Sequence, residues 1–304
     1  MPHLAYVNGH YAPHQMASLS IEDRATQFSD GVYEVCLYLN GHGVDFTAHM
    51  DRLDRSLAAL SIPAPMGRRA MALVMDRLLI RNRLRTASLY LQISRGVAPR
   101  DHAFPKPAPA PSLIMTAKRF DCAALKRQQA KGIAVISTPD LRWKRCDIKS
   151  VSLLGNVLAK QAARQKGAGE GWMVDADGLI TEGASSSAFI IDQAGCLRIR
   201  ELAADILPSI TRQAVLDIAA QQKITIDHRA FSLDEAKSAK EAFIASTTAG
   251  VTPVISLDDQ MIGHGQPGPI TQAIISRHWD HMQAFFDQPA RAPSASRMAQ
   301  SPAR

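Results

Sequence analysis

Apolar residues along this 304-residue chain either alternate with polar ones or recur every three to four positions, in short separate segments. Alternation is typical of strands, and the longer repeat is typical of amphipathic helices. Up to residue 120 the pattern predicts strands at 4–8, 35–39, 88–94 and 112–116 and helices at 48–60 and 68–82. The turn signals Asn8-Gly9 and Asn40-Gly41 predict hairpins after the first two strands.

A proline-rich segment from Arg95 to Pro111, named here the Arg95–Pro111 loop, separates the last two of these strands. Prolines interrupt it too often for regular structure, and a loop of this length is commonly functional. We predict that a first domain, 1–120, ends soon after it.

The second half shows a similar mixture of patterns. It predicts a strand at 132–137, a helix at 155–166, a hairpin turning at 175–178 and a helix from Ser209 to about 222. Ser232 and Glu235 have the spacing of a capping box. From about residue 288 the Pro, Ala, Ser and Arg content predicts a disordered tail, 288–304. The expected fold class is α/β (α+β) in two halves.

Composition narrows the functional classes. The formal charge is +7, but basic and acidic residues are interspersed and no aromatic-basic stripe is present, so we expect no nucleic-acid partner. No apolar run approaches 18 residues and the N-terminus does not resemble a signal peptide, which predicts no membrane association. The four cysteines are widely spaced and match no metal or redox motif, so we expect no metal and a cytoplasmic location.

Several segments carry the candidate chemistry. In chain order they are Asp30-Gly31-Val32-Tyr33-Glu34-Val35, His49-Met50-Asp51-Arg52-Leu53, Arg145-Cys146-Asp147-Ile148-Lys149, Asn156-Val157-Leu158-Ala159-Lys160, Thr181-Glu182-Gly183, Leu207-Pro208-Ser209-Ile210-Thr211-Arg212 and Ser246-Thr247-Thr248. Each alone is a weak signal. The ordered set, with its spacing, resembles the class IV aminotransferases over residues 4 to about 280.

The resemblance implies fold type IV, with a small N-terminal α/β domain over 1–120 and a larger, barrel-like C-terminal domain over 121–287. It also implies pyridoxal 5′-phosphate as cofactor. Such a cofactor needs a lysine that holds its aldehyde covalently and later moves a proton, and the matching residue is Lys149. Glu182 matches the acid that faces the ring nitrogen. The other cofactor-binding residues that the resemblance implies are Arg52, Ile210, Thr211, Ser246 and Thr247.

Some positions depart from the family pattern. Ser187 stands where an Asn is usual, Arg200 where a Thr is expected, and Ser209 where a Gly is common. None of these removes a group with a direct chemical role, but Ser187 and Arg200 could reshape the surroundings of the cofactor.

The stretch from Ser94 to His102 indicates the branch of the family. It resembles the loop with which D-amino acid transaminases bind the substrate carboxylate, which implies that Arg100 and His102 do so here together with Tyr33. In that branch the loop enters the site of a neighbouring subunit, so the resemblance implies a homodimer acting on D-amino acids and 2-oxo acids. Leu154 stands where branched-chain enzymes commonly have Tyr. Branched-chain L-amino acid transamination, aminodeoxychorismate lysis and an inactive relative stay open as alternatives.

Overall fold

A computed structural model describes residues 4–289 and shows a mixed α/β fold built on two sheets. The elements of the first half are β1 (Leu4–Val7), β2 (His10–Pro13), α1 (Arg24–Phe28), β3 (Gly31–Leu39), β4 (His42–Gly43), α2 (Phe46–Ala59), α3 (Arg68–Arg81), β5 (Ala87–Ser94) and β6 (Ser112–Arg119). The strands form an antiparallel sheet in the order β2-β1-β6-β5-β3-β4.

The second half carries the larger sheet. Its elements are α4 (Cys122–Lys131), β7 (Ile133–Pro139), α5 (Leu154–Gln165), β8 (Glu170–Val174), β9 (Ile180–Gly183), β10 (Ser187–Ile191), β11 (Leu197–Arg198), α6 (Ile210–Gln221), β12 (Ile226–Asp227), α7 (Leu233–Lys237), β13 (Glu241–Ser246), β14 (Gly250–Leu257), β15 (Gln260–Met261) and α8 (Pro269–Phe286). The strand order is β12-β11-β10-β13-β14-β7-β8-β9, with β15 beside β14. Parallel and antiparallel pairs are mixed, and the sheet curves into a half-barrel.

The first sheet is covered by the apolar face of α2. Met50, Leu53 and Leu57, which recur at the helical spacing seen in the sequence, are each no more than 3% exposed and pack with residues of β3, β5 and β6. Burying a side chain of this size contributes roughly 1.5–3 kcal/mol. The predicted amphipathic helix is therefore confirmed, starting two residues earlier than expected.

Both faces of the second sheet are buried, whereas many antiparallel sheets have one solvent-exposed face. On β13, Ala242 and Ile244 belong to one apolar core, while Phe243 and Ala245 belong to another on the opposite face. Successive side chains of a strand point to opposite faces, so one short apolar run serves both cores. Phe243 also stacks on Phe189 of β10, with ring centroids 4.6 Å apart.

The two sheets are joined by α8. Its first half packs on α6, β13 and β14, and Met282 near its end packs with Leu37 and Leu39 of β3.

Among residues 4–289 no helix has the length and apolar character that crossing a membrane requires. The boundary at residue 120 stays a prediction. Most of the predicted tail, residues 290–304, lies outside the described part of the chain.

The turn predictions are confirmed. Asn8 and Gly9 have φ of 45° and 97°, and Asn40 and Gly41 have φ of 49° and 86°. Two successive positive φ values are typical of tight hairpins, and Asn-Gly tolerates them at little cost. As predicted, regular structure is absent between β5 and β6, where the Arg95–Pro111 loop lies.

Candidate active site

A cavity of about 350 Å³ lies where the two sheets meet. Tyr33 of β3 contributes to its wall from the first sheet, and Glu182 of β9 contributes from the second. Lys149 lies on the segment between β7 and α5, and further lining comes from α5, from the turn between β9 and β10, from the start of α6 and from the turn between β13 and β14. Most of the residues singled out in the sequence therefore line one cavity.

Lys149 is held by backbone contacts to the first sheet. Its carbonyl accepts a hydrogen bond from the Tyr33 N–H at 2.9 Å, and Val151 N–H donates to the Gly31 carbonyl at 3.0 Å. The Lys149 Nζ lies 4.1 Å from the centroid of the Tyr33 ring. Burial, followed by the charge of Arg52, lowers the pKa of Lys149 to about 8. A lysine in this state is partly uncharged near neutral pH and can act as a nucleophile or base.

Glu182 is buried, with only 8% of its surface exposed, whereas glutamates are mostly solvent-exposed in folded proteins. Its carboxylate contacts the Arg142 guanidinium and accepts a hydrogen bond from the Leu207 N–H at 3.3 Å. Burial raises the pKa of Glu182, whereas Arg142 and the Leu207 N–H act in the opposite direction. The carboxylate therefore faces the cavity from a fixed position.

Arg142 also belongs to the site, although the sequence did not predict a role for it. Its side chain is 4% exposed, and besides Glu182 it binds Asp140, with Nη2 2.7 Å from Oδ2. Thr181 Oγ1 donates to the same Asp140 oxygen at 2.7 Å. No periodicity distinguishes Asp140-Leu141-Arg142 from an ordinary polar turn, so only the folded chain reveals this cluster.

Arg52 is buried although it lies off the apolar stripe of α2 formed by Met50, Leu53 and Leu57. It is 3% exposed and donates to Glu34 from Nε at 2.7 Å and from Nη2 at 2.8 Å. Burial by itself raises the pKa of Glu34, but hydrogen bonds from Arg52 and His49 bring it to about 2. The Arg52 Nη1 donates to the Pro208 carbonyl at 3.1 Å, which turns the guanidinium toward the start of α6.

Helix α6 begins as predicted. Ser209 is its N-cap, and its hydroxyl accepts from the Arg212 N–H at 3.2 Å. Ser209 lines the cavity together with Ser246 and Thr247 across from it, whereas Ile210 and Thr211 lie in the first turn of the helix behind that surface. A helix N-terminus beside several hydroxyl groups is suited to binding a phosphate.

Arg100 and His102 lie elsewhere. Both are exposed in the Arg95–Pro111 loop, and neither lines the cavity of its own chain. Both side chains are close to Phe28, with the Arg100 guanidinium 5.1 Å and the His102 ring 5.3 Å from its centroid. Within one chain, the structure thus brings Lys149, Glu182 and Tyr33 together but not these two residues.

The positions that depart from the family pattern fall into two groups. Ser187 and Ser209 line the cavity. Arg200 does not, and it forms ion pairs with Asp175 at 2.8 Å and Asp205 at 2.6 Å. The arginine is therefore accommodated by its own carboxylates outside the cavity wall.

Known proteins that are similar to this chain share one family. The family model described as amino-transferase class IV matches residues 31–257. The chain is 37% identical over 266 residues to a D-alanine aminotransferase of Listeria monocytogenes, covering 87% of this chain and 91% of that one. It is also 37% identical over 267 residues to a D-alanine aminotransferase of Bacillus licheniformis, covering 88% and 93%.

Solved structures share the fold. A branched-chain amino acid aminotransferase from Escherichia coli superposes with a TM-score of 0.82 at 24% identity, covering 94% of each chain. A hypothetical aminotransferase from Mycobacterium tuberculosis, solved in its PLP-bound form, gives a TM-score of 0.79 at 21% identity, covering 92% of this chain and 99% of that one. The fold type IV architecture predicted by resemblance is therefore confirmed.

This chain belongs to the class IV aminotransferase family. It is an aminotransferase, and its cofactor is pyridoxal 5′-phosphate. The donor set of the cavity fits that cofactor, because it combines a lysine of lowered pKa, a buried carboxylate and a helix start flanked by hydroxyl groups. These three features suit an aldehyde, a ring nitrogen and a phosphate, respectively.

Proposed function

We propose that this protein transaminates D-amino acids, with D-alanine and 2-oxoglutarate converted to pyruvate and D-glutamate as the typical reaction. The observation that carries the proposal is the cavity that Lys149, with its pKa lowered to about 8, lines together with Glu182 and Tyr33. The proposed preference for D-amino acids over L-amino acids rests on the 37% identity to the D-alanine aminotransferases and on the sequence of the Arg95–Pro111 loop.

The cofactor residues are proposed from their positions. Lys149 would hold the aldehyde and, once released, accept the proton from the substrate Cα at its Nζ. Glu182 would face the ring nitrogen and favour its protonated form. When bound, the cofactor supplies an electron sink for the pair left by the Cα–H bond.

The phosphate is proposed to lie against the start of α6. There the N–H groups of Ile210 and Thr211 belong to the first turn, and Ser246 and Thr247 lie on the facing turn. Arg52 would add a positive charge, since its Nη1 is directed toward the same place through Pro208. Charge-assisted hydrogen bonds of this kind are stronger than neutral ones.

Substrate binding is assigned to Tyr33, Arg100 and His102. Tyr33 already lies beside the Lys149 Nζ, whereas Arg100 and His102 are exposed and outside their own chain's cavity. This separation supports a homodimer in which each chain supplies its loop to the other's cavity. Two exposed apolar residues of the loop itself, Val97 at 41% and Phe104 at 57%, are suited to such a contact.

A cytoplasmic location is part of the proposal. All four cysteines are free in the structure, which is consistent with a reducing compartment.

The test is a panel of D- and L-amino acids with 2-oxoglutarate, measuring oxo-acid formation. D-alanine should be converted and L-leucine should not. Turnover of L-leucine or L-isoleucine with D-alanine inert would favour the branched-chain alternative. Pyruvate release without an amino acceptor would favour the lyase alternative.

A further inference from the structure

The residues assigned to the substrate carboxylate lie on a segment without regular structure. Arg100 and His102 are both exposed, and no hydrogen bond within residues 4–289 holds either side chain. Discrimination between enantiomers requires donors fixed to within a few tenths of an ångström, which an irregular loop does not provide by itself. Something else must fix the backbone that carries them.

Arg24 of α1 contacts that backbone directly. Its guanidinium is 3% exposed and donates from Nη1 to the Asp101 carbonyl at 2.6 Å and from Nη2 to the His102 carbonyl at 3.4 Å. Its Nε donates to Asp30 at 2.7 Å. The planar fork of an arginine is suited to this arrangement, because one edge binds a carboxylate while the other reaches two acceptors.

Asp30 is shared with a second arginine at the start of the loop. Arg95 donates to Asp30 at 2.7 and 2.9 Å and to the Leu60 and Ser61 carbonyls at 2.7 and 3.1 Å. Hydrogen bonds from both guanidinium groups keep the pKa of Asp30 below its usual value despite burial, which by itself raises it. The carboxylate therefore ties α1, the end of α2 and the loop to one another.

Phe28 adds an aromatic surface to the same place. The Arg24 guanidinium lies 4.7 Å from its ring centroid, and Arg100 and His102 approach the same ring. Backbone pairing continues the contact, since Arg24 N–H donates to the Gly96 carbonyl at 3.0 Å. One side of α1 thus supports the whole stretch from residue 96 to residue 102.

We propose that Arg24, held by Asp30, is a positioning residue that fixes Arg100 and His102 for substrate-carboxylate binding. The inference rests on the proposed function, because it takes the carboxylate-binding role of the loop from there. What it adds is the residue that holds the loop in place. Arg24 does not contact substrate in this proposal. It acts through the Asp101 and His102 carbonyls, so its loss should weaken carboxylate binding while the chemistry at Lys149 continues.

The test compares Arg24→Lys with Arg198→Lys. Lysine keeps the charge but cannot bind Asp30 and two carbonyls at once. Arg198 is matched because it also serves several carboxylates, Asp192, Asp227 and Glu235, but on the other sheet. Arg24→Lys should raise the KM for D-alanine at least about tenfold, the effect of losing a charged hydrogen bond, with kcat within about threefold. Arg198→Lys should leave both values unchanged.

A double-mutant cycle separates positioning from a general structural effect. In a background that carries Arg100→Ala and His102→Ala, Arg24→Lys should produce no further rise in KM. An equal rise in that background would overturn the proposal, as would an unchanged KM in a folded Arg24→Lys enzyme. If Arg100→Ala itself leaves the KM unchanged, the loop's proposed role fails, which is a different result.

Two further measurements keep the test independent of turnover and of folding. Hydrogen exchange of the cofactor-free protein should be faster at residues 96–104 in Arg24→Lys and unchanged there in Arg198→Lys. If Arg24→Lys does not fold, Phe28→Leu should raise the KM about threefold, the effect of losing a cation–π contact. No change in exchange, or no change in KM for Phe28→Leu, would contradict the proposed support.

Discussion

At the scale of single residues, the unusual state of Lys149 has a measurable consequence. Burial and Arg52 lower its pKa to about 8, against roughly 10.4 for a free lysine. Above pH 8 the amine is mostly uncharged and reactive, and below pH 8 it is mostly protonated. The rate at which the cofactor-free protein takes up pyridoxal 5′-phosphate should therefore rise with pH. It should reach half of its maximum near pH 8 and level off at higher pH.

Nα-acetyl-lysine in solution is the control for this measurement, since its rate should keep rising toward pH 10. Borohydride reduction and peptide mapping should locate the pyridoxyl group on Lys149. Lys160 is the rival within the cavity, but its Nζ donates to the Gly169 carbonyl at 2.6 Å and to Glu170 at 3.1 Å. A label on Lys160, or a midpoint near 10, would contradict the assignment.

Glu182 provides the second test at this scale. Glu182→Gln keeps the shape but removes the negative charge proposed to face the ring nitrogen. Turnover should fall at least ~10²-fold, the scale for losing one preorganised electrostatic partner. Arg142 would keep its ion pair with Asp140, so folding and cofactor binding should persist.

The matched control is Glu170→Gln. Glu170 is also buried and lies on the neighbouring strand β8, where it binds Lys160 and the Ser185 and Ser186 hydroxyls. That substitution should leave kcat within about threefold of the wild-type value, because it keeps the shape of the side chain and Glu170 does not line the cavity. Near-native turnover of Glu182→Gln would mean that another group serves the ring nitrogen.

At the scale of secondary-structure elements, the sequence predicted those helices and turns whose formation depends on residues close to one another in the chain. Helices α2 and α6 and the Asn-Gly hairpins follow from periodicity, capping and turn residues. Strands β10, β13 and β14 were not predicted, because both of their faces are buried and they lack a polar alternation. An apolar run of that kind has no period that distinguishes a strand from a helix.

The same contrast holds for the site. Lys149 and Glu182 could be proposed from motifs whose residue types the chemistry requires. Arg142 and the Arg24–Asp30 pair could not, because their roles depend on partners 40 and 77 residues away in the chain. Contacts of this range are decided by the tertiary packing within each half of the chain, and no local pattern records them.

The capping box of α7 gives a prediction for one element. The Ser232 hydroxyl accepts from the Glu235 N–H at 3.2 Å, and the Glu235 carboxylate accepts from the Ser232 N–H at 3.0 Å. Ser232→Ala should lower the free energy of unfolding by about 1 kcal/mol. Ser232→Asp keeps a cap acceptor and should retain most of the stability. Thermal unfolding checks both, and equal losses would show that the cap hydrogen bond contributes nothing.

At the scale of the whole molecule, the cavity of one chain holds only part of the proposed site. Lys149, Glu182 and Tyr33 line it, while Arg100 and His102 face outward on a supported loop. A symmetric dimer would complete two sites at once, because a two-fold axis makes each contact occur twice. The apolar side chains exposed in the loop, Val97 and Phe104, would be buried by the same step.

Co-expression of two impaired variants, assayed at a D-alanine concentration well below the KM, tests this arrangement. One chain carries Lys149→Ala with an intact loop, and the other carries Arg100→Ala and His102→Ala with an intact lysine. If the loop acts on the neighbouring chain, each mixed dimer contains one complete site, so random pairing restores about a quarter of wild-type activity. Each variant expressed alone is the control. If the loop acts within its own chain, neither site of the mixed dimer is complete. Activity no higher than the average of the two variants alone would therefore rule out the shared site.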